Sequence, residues 1–371
     1  MTAGPLGGAL GVSCPSCGEP VGAADSFCES CGTELAAADP CLPETEPSPP
    51  GYVAQCPVCS VDPSASPGAI SADGCCESCG RQVSSGRDHV ELDLGWLAGV
   101  TDRGLRHPRN EDAMAFATAE TAAGPVAVAV VCDGVSTSPR SDEASLAGTQ
   151  AAVRMLLTSM RRGDDPTEAS LAAVRQAHLA LTSLGSSAQA PSATYISATI
   201  SGEAVTVCWL GDSRAYWLAT DSEARRLTAD DSLAEELVAR GDLTEADAMA
   251  SPQAHVITRW LGADVADPQA HVVRFEPPGP GVVLICSDGL WNYRPDAGGL
   301  AKLALPAAFT DPLGAAGALL AFALEAGGMD NITVVLAPFP LSGPATVAEE
   351  DAVMTEAGFT ADVDQCSEEH A

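Results

Sequence analysis

Four aspartates, Asp112, Asp133, Asp288 and Asp330, stand where hydrophobic runs begin or end. They occur in Asn110-Glu111-Asp112, Cys132-Asp133-Gly134, Ser287-Asp288-Gly289-Leu290 and Met329-Asp330-Asn331-Ile332. A carboxylate at the end of a buried strand costs stability unless it is solvated, hydrogen-bonded or neutralised by a cation. Hard oxygen donors of this kind suit magnesium or manganese, not zinc. Several of them gathered at one edge of a sheet would build a two-metal hydrolytic centre. Gly134 lets the backbone come close to an ion, so its carbonyl can serve as a ligand. Glu111 and Asp112 are adjacent just before a strand, where successive side chains point opposite ways. One of the two can reach the metals, directly or through water, while the other braces the structure. Gly211-Asp212-Ser213-Arg214 belongs to the same group; read alone, it is a tight hairpin with a surface ion pair.

The elements that must position these residues are legible as Val-, Ile- and Ala-rich runs bounded by Gly, Pro and Asp. Strands are predicted at 97–101, 113–117, 126–132, 194–200, 205–210, 215–218, 272–275, 282–286 and 332–337. Helices are predicted at 143–161, 167–184, 233–240, 244–249, around 300–305 and at 312–326. Antiparallel strands separated by paired helices predict an α+β fold, two sheets packed together with helices outside. His178, on a predicted helix, reads as a solvated or capping residue. Cys132 and Cys286 read as small core residues, and Trp209, Trp217 and Trp291 as packing anchors.

The 371-residue chain carries 18 basic and 50 acidic residues, a formal net charge of −32. That field argues against nucleic acid or an anionic membrane as partner, and it requires a local positive site for any anionic substrate. No apolar run approaches the roughly 20 residues of a membrane helix, and the N-terminus lacks the basic start and apolar stretch of a secretory signal. A cytoplasmic protein is the expectation. Ten of the 14 cysteines fall in the first 80 residues. Cys14, Cys17, Cys28 and Cys31 form two CxxC pairs, and Cys56, Cys59, Cys76 and Cys79 repeat them. Both copies begin Cys-Pro and end Cys-Glu-Ser-Cys-Gly, an internal repeat that supplies four thiolates to one or two Zn²⁺ ions in tandem ribbons. Cys75 can replace Cys76, and Cys41 has no assigned role. The expected organisation is a zinc ribbon at 1–40, a linker and second ribbon at 41–88, a catalytic domain at 89–340 and an acidic, disordered tail at 341–371.

Several short motifs in order resemble the metal-dependent serine/threonine protein phosphatases, the type 2C or PPM family, in its bacterial form. They run from Thr101-Asp102-Arg103-Gly104 through Asn110-Glu111-Asp112-Ala113, Cys132-Asp133-Gly134, Gly211-Asp212-Ser213-Arg214-Ala215-Tyr216 and Ser287-Asp288-Gly289-Leu290 to Asp330-Asn331-Ile332-Thr333. Segments from Leu227 to Arg259 resemble the family's flap. The likeness covers about residues 94–337 and implies a four-layer α/β/β/α sandwich. It also implies Mn²⁺ or Mg²⁺, two or three ions, held by Asp133, Gly134, Asp288 and Asp330. Glu111 and Asp112 would bind through water, and Asp212 matches a third, weaker site. The implied reaction is hydrolysis of phosphoserine or phosphothreonine in phosphoproteins, a serine/threonine kinase or its substrates among them. The sequence departs from the family at two places. His107 stands where the family carries a phosphate-gripping Arg, with Arg106 and Arg109 beside it to take over the grip. The glycine-rich loop that usually follows Asp-Gly reads Val135-Ser136-Thr137-Ser138-Pro139. These departures motivate a rival reading, a catalytically weak pseudo-phosphatase scaffold that binds phosphoproteins.

Overall fold

A computed structural model describes residues 12–13, 20–21, 76–78, 86–186, 190–219, 224–244, 247–248, 251, 256–341, 352–355 and 358–360. The chain divides into two units, 1–50 with 364–371, and 51–363. In the first, Val12–Ser13 pairs antiparallel with Pro20–Val21. Of the eight cysteines predicted to bind zinc, seven lie outside the described residues, and Cys76 is buried.

Among its described residues the second unit contains two large antiparallel sheets, besides the short pairing of Ser192–Ala193 with Leu261–Gly262. One has seven strands in the order His271–Phe275, Ala204–Leu210, Tyr195–Ser201, Gly124–Asp133, Asp112–Thr121, Ala352–Thr355, Gly358–Thr360. The other has six: Arg225–Arg226, Arg214–Leu218, Gly281–Cys286, Ile332–Phe339, Ala98–Asp102, His89–Asp93. Alternation along each strand sends one set of side chains between the sheets and the other set under helices. Phe116, Val131, Ile196, Val207, Trp217, Ile285 and Val335 meet in the intersheet core. Their neighbours Val128, Val130, Tyr195 and Cys208 pack under the helices Ser141–Arg162 and Pro166–Thr182. On the far side Val282, Leu284, Val334 and Leu336 pack under Ala297–Ala308 and Pro312–Ala326. The layers are therefore α/β/β/α, as the sequence predicts.

Three local expectations change. Ala352–Thr355 and Gly358–Thr360 extend the first sheet where a disordered acidic tail is predicted. The edge of Asp112–Thr121 offers unpaired backbone groups to any strand that reaches it, whatever the surrounding charge. Gly211-Asp212-Ser213 is not a hairpin, because Ala204–Leu210 and Arg214–Leu218 belong to different sheets and the segment crosses between them. His178 is buried rather than solvated, with Nδ1 unpartnered among the described residues.

Candidate active site

Strand register gathers the acidic residues at one end of the sandwich. In the first sheet Asp112 and Asp133 are direct cross-strand partners. In the second, Arg214 pairs with Cys286, Cys286 with Val334, and Ile332 with Asp102. Asp212, Asp288 and Asp330 each lie two positions beyond such an end residue, so all three fall at the edge that Asp102 closes. Asp133 and Asp288 follow runs that are buried residue by residue, 126–132 and 281–287. Burial of those runs fixes where the carboxylates emerge.

Asp112 is fully buried. Its Oδ2 accepts from Ser287 Oγ at 2.6 Å and Thr333 Oγ1 at 2.8 Å, so residues of the second sheet hold a carboxylate of the first. Its Oδ1 has no hydrogen-bond partner among the described residues, and neither does the buried Asp288 Oδ1. Burial pushes the Asp112 carboxyl up to about 7, against the lowering effect of the Ser287 and Thr333 hydroxyls. Asp133 and Asp288 are held well above the usual carboxylate range by burial and then by neighbouring carboxylates: Asp112, Asp288 and Asp330 act on Asp133, and Asp212 and Asp330 on Asp288. Asp212 is raised to about 7 by burial and by Asp230. Four carboxyls at this edge, those of Asp112, Asp133, Asp212 and Asp288, are thus raised together, because burial and neighbouring acids disfavour their charged forms.

The Glu111–Asp112 pair divides its work. Glu111 Oε1 accepts from Ser141 Oγ at 2.6 Å and Arg109 Nε at 3.1 Å, and Oε2 from Ser136 Oγ at 2.7 Å. Burial alone would raise Glu111, but these donors and His107 outweigh it and depress the carboxyl to about 2. Glu111 is thus the brace, and Asp112 faces the cluster. His107 bridges the two groups, its Nε2 3.1 Å from Asp330 Oδ1 and its Nδ1 3.7 Å from Glu111 Oε2. The Glu111 carboxylate, opposed by burial and aided by Asp330, raises the His107 pKa. Arg106 is exposed, and Arg109 is drawn onto Glu111 with Asp142 Oδ1 3.9 Å away.

Sequence reasoning missed several supports. The Asn331 side chain reaches beyond its own turn: its Oδ1 accepts from Glu111 N at 2.8 Å and its Nδ2 donates to the carbonyls of Arg103 and Arg109 at 2.8 and 3.0 Å. It therefore clamps the 103–111 loop to the last core strand. Gly104, at φ +70°, is needed there, since a Cβ would stand 2.1 Å from the Asp330 carbonyl oxygen. Arg214, read as a surface residue, forms a buried fork with Asp230, with Nη2 2.6 Å from Oδ2 and Nε 2.9 Å from Oδ1. Its guanidinium lies 3.5 Å from the centroid of the Trp291 ring. The Ser287 and Asn331 neighbours of Asp288 and Asp330 were the available signal; the Arg214–Asp230 pair had none, because 16 residues separate its members.

The donor set tests whether divalent ions fit. It consists of oxygen atoms, two of which are buried and unpartnered, and Gly134 packs where a Cβ would meet Ser141 O at 2.5 Å and Glu111 O at 2.6 Å. That is a crevice chemistry suited to Mn²⁺ or Mg²⁺. Among the described residues no three acidic, imidazole or thiol side chains are closed around one metal-sized point.

The family model for protein phosphatase 2C matches residues 105–313, more than half of the chain. The chain belongs to the protein phosphatase 2C family. The serine/threonine phosphatase Stp of Listeria innocua is 34% identical over 144 residues, covering 38% of this chain and 55% of that protein. The chain thus spans about half the length of the curated relative. Among solved structures, the PPM Ser-Thr phosphatase MsPP of Mycobacterium smegmatis in complex with cacodylate is 29% identical. It superposes with a TM-score of 0.51 over 65% of this chain and 96% of that one. The serine/threonine phosphatase Stp1 of Staphylococcus aureus has a TM-score of 0.56 at 22% identity, covering 68% of this chain and 98% of that one, and it shares the fold. No helix among the described residues is long and apolar enough to cross a membrane.

Proposed function

We propose that this 2C-family chain hydrolyses phosphoserine and phosphothreonine in proteins with the help of Mn²⁺ or Mg²⁺. The observation that carries the reading is the convergence of Asp112, Asp133, Asp212, Asp288 and Asp330 at one sandwich end, with two orphaned carboxyl oxygens and with the carboxyls of Asp112, Asp133, Asp212 and Asp288 raised by burial. Asp133, the Gly134 carbonyl, Asp288 and Asp330 would hold two ions, with Asp112 acting through water and Asp212 at a third position. Bound ions would supply positive charge to the phosphoryl oxygens and acidify water. The chain's own residues do the rest. Ser287 and Thr333 orient Asp112. Glu111 holds Arg109 in place, with His107 beside it. Arg109, Arg106 and His107 bring cations to an otherwise acidic protein, and an anionic phosphoryl group needs them.

Phosphoproteins are the proposed partners, a serine/threonine kinase or its substrates among them, in the cytoplasm. The N-terminal cysteine pairs are proposed to hold one or two Zn²⁺ ions in recruitment or assembly modules. The test is Asp133→Asn, assayed on a phosphothreonine peptide with and without manganese. Loss of at least about 10²–10³-fold in turnover, with an unchanged circular dichroism spectrum, is expected for an essential electrostatic group. Undiminished turnover would overturn the reading. The scaffold alternative draws on one observation, that the His107 standing in for Arg is engaged by Asp330 and Glu111. An intact wild-type chain without manganese-stimulated turnover would favour it.

A further inference from the structure

Leu105 and Met329 are 63% and 58% exposed, among the few large apolar side chains left in solvent among the described residues. Isolated exposed leucines need no explanation, but the placement of these two does. Leu105 lies two residues before His107, and Met329 immediately precedes Asp330, the residue that His107 contacts at 3.1 Å. Their two loops are joined to each other. Leu105 N donates to Gly328 O at 2.7 Å, and the Leu105 side chain lies over Gly328 so closely that a Cβ there would sit 2.9 Å from it. Met329 N donates to Tyr293 Oη at 2.9 Å, which fixes the backbone that presents the thioether. Two backbone-anchored apolar side chains therefore stand at the rim of the acidic centre, beside Arg106 and His107.

We propose that Leu105 and Met329 form a specificity rim that receives an apolar side chain flanking the phosphorylated residue of a phosphopeptide substrate. The inference rests on the phosphatase reading above. If the phosphoryl group sits by His107 and Asp330, residues adjoining it in the peptide must cross the loops at 105 and 329. Water left on that rim is displaced favourably by an apolar group and not by a charged one. The chain's net charge of −32 also disfavours acidic flanks except next to Arg106.

The test compares two phosphothreonine peptides that differ only in their flanking residues, leucine in one and serine in the other, with the full chain and manganese. The wild-type chain is expected to favour the leucine peptide in kcat/KM by about tenfold, the range for a modest apolar contact at the transition state. Leu105→Ser with Met329→Ser should erase that ratio. Both positions are exposed, so the folded state should survive, and melting temperature checks this. Equal use of both peptides by the wild type, or a ratio that persists in the double variant, would overturn the proposal. If neither peptide is hydrolysed, the phosphatase reading fails by itself. The rim is then judged by calorimetric affinity for the same two peptides, and equal affinities refute it. Self-association lost in the double variant, with selectivity unchanged, would assign the rim to a second copy of the chain and overturn the proposal.

Discussion

Arg214→Met removes one member of the ion pair buried beneath the site. Arg214 and Asp230 are 3% and 4% exposed at the side chain, and the guanidinium forks both carboxyl oxygens while stacking on Trp291. Breaking such a pair leaves the partner charge buried, which costs about 3–5 kcal/mol. Arg226, with Nη1 3.8 Å from Asp230 Oδ1, remains to recover part of the loss. The lower end, about 3 kcal/mol, is therefore expected. For a domain of this size that corresponds to a fall in melting temperature of about 6–12 °C. The double substitution Arg214→Met with Asp230→Leu removes both charges and should be close to neutral, since hydrophobic replacements of buried pairs often are. Chemical denaturation of wild type, both single variants and the double variant closes the cycle. A coupling energy of at least about 2 kcal/mol is expected. A loss below about 1 kcal/mol for Arg214→Met, or strictly additive single effects, would show that the pair does not hold the sheet crossing at 211–213 in place.

Three further outcomes are expected. Ser287→Ala takes a hydroxyl from Asp112 Oδ2 and an acceptor from Thr333 N; it should cost about 1–3 kcal/mol in urea denaturation, the penalty of unsatisfied buried groups. Manganese should raise the melting temperature of the wild-type chain and not that of Asp133→Asn; saturation at a hundred times Kd corresponds to about 2.7 kcal/mol. Glu111→Gln should flatten the acid limb of the stability curve. Because the folded carboxyl is depressed from 4.5 to about 2, its contribution is complete above pH 4.5 and is lost as pH falls toward 2. Denaturant midpoints measured from pH 6 down to pH 2 would show the difference, and parallel curves for the two proteins would exclude the brace assigned to Glu111.

Much of the site was legible because its ligand candidates announce themselves locally. A continuous apolar run ending in Asp-Gly, as at Asp133 and Asp288, specifies both a buried strand and a carboxylate at its exit. The repeated order of such motifs then pointed to one family and one sandwich. The same local logic failed where partners are distant in the chain. Whether Glu111 or Asp112 faces the cluster depends on Ser136 and Ser141 on one side and on Ser287 and Thr333 on the other. No spacing rule connects them. Arg214 could be placed beneath the site only once its strand was found in the opposite sheet from the strand before it. The strand at Ala352–Thr355 likewise owes its form to a free edge of Asp112–Thr121 rather than to its own acidic surroundings. Element type and the exit points of carboxylates follow from periodicity within a few residues, so the sequence alone determined them. Which groups share a burial site, and hence which charges remain unneutralised, depends on register and layer packing, and only the folded chain decided that.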